Sequence, residues 1–506
     1  MFNKRTSDSF SKIFTSSTFP VGVELVSTRG WFAGQVSKRV LSFAEILKSH
    51  PAIDWVSITD NAGGHPRMAP LALGMPILYG GKEVIVHLTA KDMNRHAIES
   101  QLWLLASHGF NNVLALTGDH PSRGPNGRAK PVFDLDSIGI LALMKAMNGG
   151  GNLGESEPPK AFQSTQFHSG CTVNPHKPDN IQRHLQYLKL ENKINNGAQF
   201  VIPQIGFNLD DLKSLRQWMD RFHEKKVPLI GNAFLPSPKV LDLFVSGKIP
   251  GVHLSRETHA KMIKQSCHSK AKNQFLRYTA LWMVALEKIG FDGCYLGGIS
   301  NHQQLESLLE LHSDLRNADP FPELDTWLEH ERPSHEKDVS FLEKTRLNIN
   351  EAIHDVAFSE SSPITQGISK FCRNLSSEKN SYKAFHSFEK VSKGLTFNCR
   401  DCGDCLLPKT AYLCPQSGCA KKLRNGPCGG SKADTCEVKN HECFWSRAFR
   451  GMKHLNREEE LLPTSPNLLD HDLKGTSGWI NHWKSISLRS KREPLCQSQT
   501  SPSLEN

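Results

Sequence analysis

Long apolar runs are missing from this chain. No stretch of its 506 residues approaches the ~20 uninterrupted apolar positions that a membrane-spanning helix requires, which excludes a helical membrane protein and a membrane partner. The apolar core of a secretory signal is missing too. The N-terminal MFNKRTSDSFSKIFTSSTFP is rich in Ser and Thr and poor in acids, a faint transit-peptide pattern that reads better as an ordinary extension of a soluble, cytoplasmic protein. Nor is there a nucleic-acid-binding signature. The net charge is +10, and residues 396–455 alone hold ten Lys/Arg against five Asp/Glu. These charges are scattered, and they offset cysteine thiolates around a metal more naturally than they form a groove for RNA or DNA. What is present is enough apolar material, 38% of residues, for a real core, in a chain too long for one ordinary domain.

Cysteine is distributed far from evenly. Eight of the thirteen fall between Cys399 and Cys443. In a reducing compartment, thiols clustered in this way hold metal more often than they form disulfides.

Short apolar, β-branched runs alternate with amphipathic stretches. They are VGVELVS (21–27), WVSITD (55–60), EVIVHLT (83–89), NNVLALT (111–117), AFQSTQF (161–167), AQFVIPQI (198–205), VPLIGNAF (227–234) and FDGCYLGG (291–298). Eight strands alternating with helices predict a parallel sheet, and eight such units close more naturally into a (β/α)₈ barrel of the TIM type than into an open sheet. The barrel is expected over 1–325, a helical connector over 326–395 and a cysteine-rich module over 396–455. A largely disordered tail is expected over 456–506, in which WINHW could still dock. One motif is set aside: Gly149, Gly151 and Gly154 fit G-x-G-x-x-G but follow a helical run, whereas a dinucleotide fingerprint follows a strand.

Barrel enzymes place their chemistry where the strands end. Here those ends are polar: Glu24 in the first strand, Thr59-Asp60-Asn61 after the second, His87 and Thr89 on the third, Thr117-Gly118-Asp119-His120 after the fourth, and Gln204 near the end of the sixth. Each alone suits a cap or a solvated loop. Their joint placement on one rim points to a site.

The stretches VELVSTRG, VSITDNAGG, HLT, LALTGDHP with VFDLDS downstream, and PQIGF stand in order, and over about residues 15–310 the chain resembles the methylenetetrahydrofolate reductase family. The resemblance implies a flavin-binding barrel, with FAD or FMN in its groove. It also implies hydride transfer from NAD(P)H to 5,10-methylenetetrahydrofolate, yielding 5-methyltetrahydrofolate for methionine supply. Glu24 matches the family's acid for N10, which must be protonated as the folate ring opens to an iminium; a salt bridge to Arg29 is the alternative. Asp119 matches the acidic residue beside the flavin, with a helix N-cap as the alternative. By the same resemblance Thr59, His87, Thr117, Phe133, Asp136 and Lys193 contact the cofactor, and Gln204 and Phe207 contact folate.

Departures accompany the match. Ser27-Thr28 stand where the family carries prolines, Thr117 where it often has arginine, and Gly170-Cys171-Thr172-Val173-Asn174-Pro175 where many members have Tyr-Pro-Glu and a later His-Pro. They leave the electron donor open between a nicotinamide and a protein partner, and the oligomeric state is open as well. A second class of function keeps the barrel and the folate but transfers a methyl group without net hydride transfer.

The thiols Cys399, Cys402, Cys405, Cys414, Cys419, Cys428, Cys436 and Cys443 read C-x₂-C-x₂-C-x₈-C-x₄-C-x₈-C-x₇-C-x₆-C. Four-thiolate sites suit zinc or an iron–sulfur cluster. CPQSGCAKKLRNGPCGG with CEV and CFW is similar to the cysteine-rich domain found with some reductase relatives, there linked to zinc or to clusters that pass electrons to flavin. The module carries few large apolar side chains, so its folding is expected to depend on metal.

Overall fold

The computed structural model describes residues 8–16, 19–122, 128–151, 163–225, 227–266, 271–329, 337–432, 434–462 and 464–489. The chain forms two compact units. The first comprises residues 1–336, 425–441 and 462–467, and the second 337–424, 442–461 and 468–506.

The first unit is built on eight parallel strands: β1 (Val21–Leu25), β2 (Trp55–Ile58), β3 (Glu83–Thr89), β4 (Asn112–Leu116), β5 (His168–Val173), β6 (Phe200–Pro203), β7 (Ile230–Phe234) and β8 (Gly293–Gly297). Their order is β6-β5-β4-β3-β2-β1-β8-β7, and a parallel bridge from Val201 to Leu229 brings the two ends together, giving the expected (β/α)₈ barrel. Parallel strands are covered on both faces, which is why β2 is buried at all four positions and reads in sequence as an apolar run.

β5 departs from that rule. The apolar run chosen for it, 161–167, lies upstream of the real strand His168–Val173, and residues 161 and 162 fall outside the described part. The strand is made of small residues because a neighbour fills its space: a Cβ on Gly170 would sit 2.1 Å from the Phe200 ring of β6. Gly22 of β1 yields in the same way to Trp55, 1.9 Å away. Large and small side chains alternate inside the barrel, as its taper demands.

The N-terminal extension plugs one end. Phe10, on the helix Asp8–Ser16, is fully buried, with its ring 5.5 Å from Trp55, 5.3 Å from Phe200 and 5.6 Å from His168. These three open their strands, so the aromatic plug closes the floor and leaves the opposite mouth for chemistry.

The second unit contains the helices Phe341–Ala357, Pro363–Cys372, Asn380–Phe397 and Phe444–His454. Part of the expected disordered tail is ordered here. WINHW forms the start of the helix Gly478–Arg489, whose Ile480, Trp483 and Ile486 pack with Cys372 and Tyr382, while Trp483 Nε1 donates to the Ala357 carbonyl at 2.8 Å. No described helix is long and apolar enough to cross a membrane.

Candidate functional site

At the barrel mouth Glu24 registers against Ser57 of β2. It is half-buried by solvent contact, facing the mouth, yet so enclosed by protein that loss of hydration lifts its pKa to about 7. The Tyr295 hydroxyl of β8 pulls the other way, and no salt bridge from Glu24 to Arg29 is seen among the described residues. Gly297 makes room for the carboxylate, since a Cβ there would stand 3.0 Å from Glu24 Oε2 and 2.8 Å from the Phe234 ring. Ser57 Oγ lies 3.0 Å from His87 Nε2. Burial lowers the His87 pKa to about 4, so the imidazole is neutral at physiological pH.

The adjoining rim is formed by the ends of β2, β3 and β4. Thr59 is buried and its Oγ1 has no hydrogen-bond partner, an orphan that a bound polar ligand would satisfy. Asp60 accepts from the amide and hydroxyl of Thr89 at 3.0 and 2.6 Å, and burial raises its pKa. Thr117 Oγ1 accepts from the Ser137 amide at 3.3 Å, tying β4 to the next helix. Gly118 has φ +85° and packs on Thr89 and Lys91, where a Cβ would meet carbon atoms at 3.1 and 3.2 Å; its backbone turns Asp119 out of the strand. Asp119 is not a helix N-cap, because the next helix begins at Ser137 and its N-cap is Asp136. Phe133 is buried with φ +48°.

Asp136 and Lys193, also expected to contact the cofactor, lie between the end of β4 and the helix after β5. Asp136 Oδ1 accepts from the amides of Ile138 and Gly139, both at 3.1 Å, and from Asn425 Nδ2 at 3.2 Å. Its Oδ2 faces Lys189 Nζ at 3.5 Å. Lys193 Nζ donates to the Thr172 carbonyl at 2.6 Å, and burial lowers its pKa to about 8. The segment 425–431 covers this side: Lys189 reaches the Gly426 carbonyl at 3.3 Å, Lys177 the Gly429 and Ser431 carbonyls at 2.5 Å each, Asn174 Nδ2 the Gly429 carbonyl at 3.1 Å, and Ser431 Oγ the Gln182 Oε1 at 2.8 Å. Gln204 Oε1 accepts from the Ile205 amide at 3.0 Å. Phe207 is buried, and its ring lies 5.9 Å from Phe244, which lies 5.5 Å from Phe234. That row of rings leads from Phe207 towards Gly297 and Glu24.

Sequence reading missed Tyr295 and Ser57. The available signal was their inward position on strands flanking Glu24, legible only once the register of β8, β1 and β2 is known.

In the second unit, Cys399, Cys402, Cys405 and Cys414 line one cavity together with Lys393 and Arg424. The Asp401 amide donates to Cys399 Sγ at 3.4 Å and Lys393 Nζ to Cys405 Sγ at 3.5 Å. Gly403 (φ +72°) is required where the loop turns, because the Leu473 carbonyl oxygen would lie 1.9 Å from a Cβ. The donor set suits a thiophilic metal or cluster. Among the described residues no three of these sulfurs come within 4.8 Å of one another, whereas Zn–S bonds of ~2.3 Å in a tetrahedron place sulfurs under ~4 Å apart. Of the other four thiols, Cys428 and Cys436 belong to the barrel unit and Cys419 and Cys443 to the second.

His50, His302 and Glu306 also gather their donor atoms within 4.8 Å. Metal does not fit there. His50 Nδ1 accepts from the Ala52 amide at 3.2 Å, so Nε2 carries the proton and gives it to Glu306 at 2.8 Å.

Two family models match separate stretches of the chain. Residues 31–235 match the family model "Methylenetetrahydrofolate reductase", and residues 379–469 match "Methylene-tetrahydrofolate reductase C terminal". No curated protein sequence matches the chain. Among solved structures, an uncharacterized protein from Clostridium thermocellum that binds two copies of 5-methyl-5,6,7,8-tetrahydrofolic acid is similar at 12% identity and a TM-score of 0.44, over 61% of this chain and 99% of that one. A dihydropteroate synthase from Coxiella burnetii, in complex with pteroic acid, is similar at 10% identity and a TM-score of 0.32, over 60% and 95%.

Proposed function

We propose that the chain, whose residues 31–235 match the methylenetetrahydrofolate reductase model and whose residues 379–469 match the model of that family's C-terminal region, is a flavin-dependent reductase converting 5,10-methylenetetrahydrofolate to 5-methyltetrahydrofolate. The observation that carries this reading is the state of Glu24: a carboxyl at the barrel mouth, partly open to it and poised near neutrality. An acid is most useful when its pKa lies near the working pH, and an ordinary glutamic acid is ionised there.

A flavin bound at the mouth would supply the hydride carrier between NAD(P)H and folate. Thr59 would meet it with its orphan hydroxyl, and His87, Thr117 and Phe133 would line it. Being neutral, His87 would add no charge to the reduced ring. Glu24 gives its proton to N10 as the folate ring opens, and water at the mouth restores it. Asp119 hydrogen-bonds the pterin, while Phe207 stacks on folate and Gln204 binds its polar edge. Asp136, fixed by its helix cap, and Lys193, fixed by the Thr172 carbonyl, would complete the cofactor-binding set. Cys399, Cys402, Cys405 and Cys414 would have to draw closer to hold zinc, whereas an iron–sulfur cluster spaces its thiolates more widely and would offer a route for electrons from a protein donor; the remaining four cysteines are further candidate ligands.

The test is anaerobic purification with a visible spectrum and metal analysis, followed by the two half-reactions. A yellow protein bleached by NADH or NADPH is expected, and Glu24→Gln should keep that step while losing the folate half-reaction by ~10²–10⁴-fold, the scale of general acid catalysis. Equal loss in both halves at intact flavin content would remove Glu24 from the role. A colourless protein that binds methyltetrahydrofolate would replace the reductase by a methyl-transfer function.

A further inference from the structure

The second unit carries a buried ion pair. Glu389 and Lys393, each 3% exposed, stand one turn apart on the helix Asn380–Phe397, with Lys393 Nζ 2.8 Å from Glu389 Oε1. Glu389 has a structural task without the lysine. Its Oε1 accepts from the Trp479 amide at 3.0 Å and its Oε2 from the Ser477 hydroxyl, so it caps the start of the helix Gly478–Arg489, where unpaired amides and the helix dipole favour a carboxylate. Burying a lysine beside it adds a desolvation cost, and a buried pair is by itself weak evidence of stabilisation.

What the lysine reaches is a sulfur. Its Nζ also donates to Cys405 Sγ at 3.5 Å, and Gly478 leaves room for this, since a Cβ there would lie 3.2 Å from Lys393 Nζ and 3.4 Å from Cys405 Cβ. The other cations lining the cavity of Cys399, Cys402, Cys405 and Cys414 are Lys390 and Arg424. They are taken up by Asp401 and Asp404 at 3.2 and 2.8 Å, and among the described residues Lys393 is the cation that donates to a cavity sulfur. We propose that Lys393 acts through Cys405 to raise the reduction potential of an iron–sulfur centre held by these four cysteines. The inference rests on the cluster reading proposed above.

The direction follows from charge. One electron from a reduced protein donor adds one unit of negative charge among the four sulfurs. No proton moves with it, because the ammonium is already charged and paired. Cluster potentials respond to net charge, to hydrogen bonds on the sulfurs and to solvent exposure. An ammonium against Cys405 supplies the first two and favours the reduced centre, while its burial keeps water from screening it. The Glu389 carboxylate opposes it, so the two residues move the potential in opposite directions.

The test uses full-length protein reconstituted anaerobically with ferrous iron and sulfide, its midpoint read by dithionite titration followed by electron paramagnetic resonance. Lys393→Met should keep the iron and sulfide content and lower the midpoint. At the wild-type midpoint the ratio of reduced to oxidised centre should fall about tenfold, a shift of about 59 mV for a one-electron couple. Glu389→Gln should raise the midpoint. A pair that only staples the helix would lower stability in both variants without ordering their potentials by charge. An unmoved midpoint in folded Lys393→Met, or shifts of one sign in both variants, overturns the proposal. Should Lys393→Met fail to fold or to take up iron, the double variant Lys393→Met/Glu389→Gln, which leaves no charge of the pair unmatched, replaces it, and a midpoint no lower than that of Glu389→Gln overturns the proposal. Wild-type protein that retains zinc but neither iron nor sulfide overturns the cluster reading and this role with it, whereas a cluster of the same midpoint in every variant keeps that reading and removes only the role of Lys393.

Discussion

The two sides of the barrel mouth treat their polar groups in opposite ways. Around β5 and β6, Lys177, Lys189, Asn174 and Asp136 are buried and meet backbone or side-chain partners, many of them in the segment 425–431, although Gln182 Nε2 and His176 Nε2 beside them have no partner among the described residues. Around β1 to β3, Glu24 has no counter-ion and Thr59 Oγ1 no partner among the described residues. Buried polar groups are almost always satisfied when their task is structural. The contrast therefore separates a sealed wall from a receptive one, and it can be broken by substitutions whose effects on stability differ in size and sign.

The largest effect is expected on the sealed side. Lys189 is 2% exposed, pairs with Asp136 and caps the Gly426 carbonyl. Lys189→Met leaves a buried carboxylate and a carbonyl short of a donor, and removing one partner of a buried pair costs about 3–5 kcal/mol. Urea unfolding of the flavin-free protein measures it. A loss under about 1 kcal/mol, the range of exposed pairs, would mean that the seal is not structural and that the two sides are alike.

Next in size, and opposite in sign, is Glu24→Gln. The folded carboxyl titrates at about 7, against 4.5 for the unperturbed group, so the native state keeps a proton that the unfolded chain has lost. The stability this confers is complete below the unfolded pKa and disappears as pH rises through the folded one, a swing of about 3 kcal/mol. Gln has no such titration. The variant should match wild type near pH 4 and exceed it by up to about 3 kcal/mol near pH 8, although it has lost its acid. Parallel stability–pH curves for the two proteins would show that Glu24 is not held in the shifted state.

How much of this was legible in the sequence depended on how local the cause is. β3 was read to the residue, because EVIVHLT is apolar where a strand covered on both faces must be. β5 was displaced, because its small residues answer to Phe200 of the neighbouring strand, a non-local fact. Glu24 and the polar strand ends could be picked out one by one, but Tyr295 and Ser57 join them only through the register of β8, β1 and β2. Thiol spacing raised the expectation of metal ligands, yet it could not reveal that Cys399, Cys402, Cys405 and Cys414 share one cavity. Nor could it reveal that 425–441 belongs with the barrel. A fragment cut at 396 and 455 would strip Asn425, Gly429 and Ser431 of Asp136, Lys177 and Gln182, so metal-dependent folding is better followed in the full chain.

The smallest effect sharpens the comparison most, because it separates a ligand-binding hydroxyl from a structural one. Thr59 Oγ1 is buried at the end of β2 with no hydrogen-bond partner among the described residues, and a buried polar group left without a bond costs about 1–3 kcal/mol. Thr59→Val exchanges that hydroxyl for a methyl of similar shape. The flavin-free protein should therefore lose no stability and gain up to about 1 kcal/mol, the lower end of that penalty, where Lys189→Met loses several times as much. Flavin binding should move the other way: if the hydroxyl bonds the cofactor, its removal costs about 1 kcal/mol, a weakening of somewhat under tenfold, measurable by fluorescence titration. Stability and affinity that change in opposite directions mark a group kept for its ligand. If Thr59→Val instead destabilised the empty protein by more than about 1 kcal/mol and left flavin affinity unchanged, Thr59 would belong with the sealed wall, and the receptive side would shrink to Glu24.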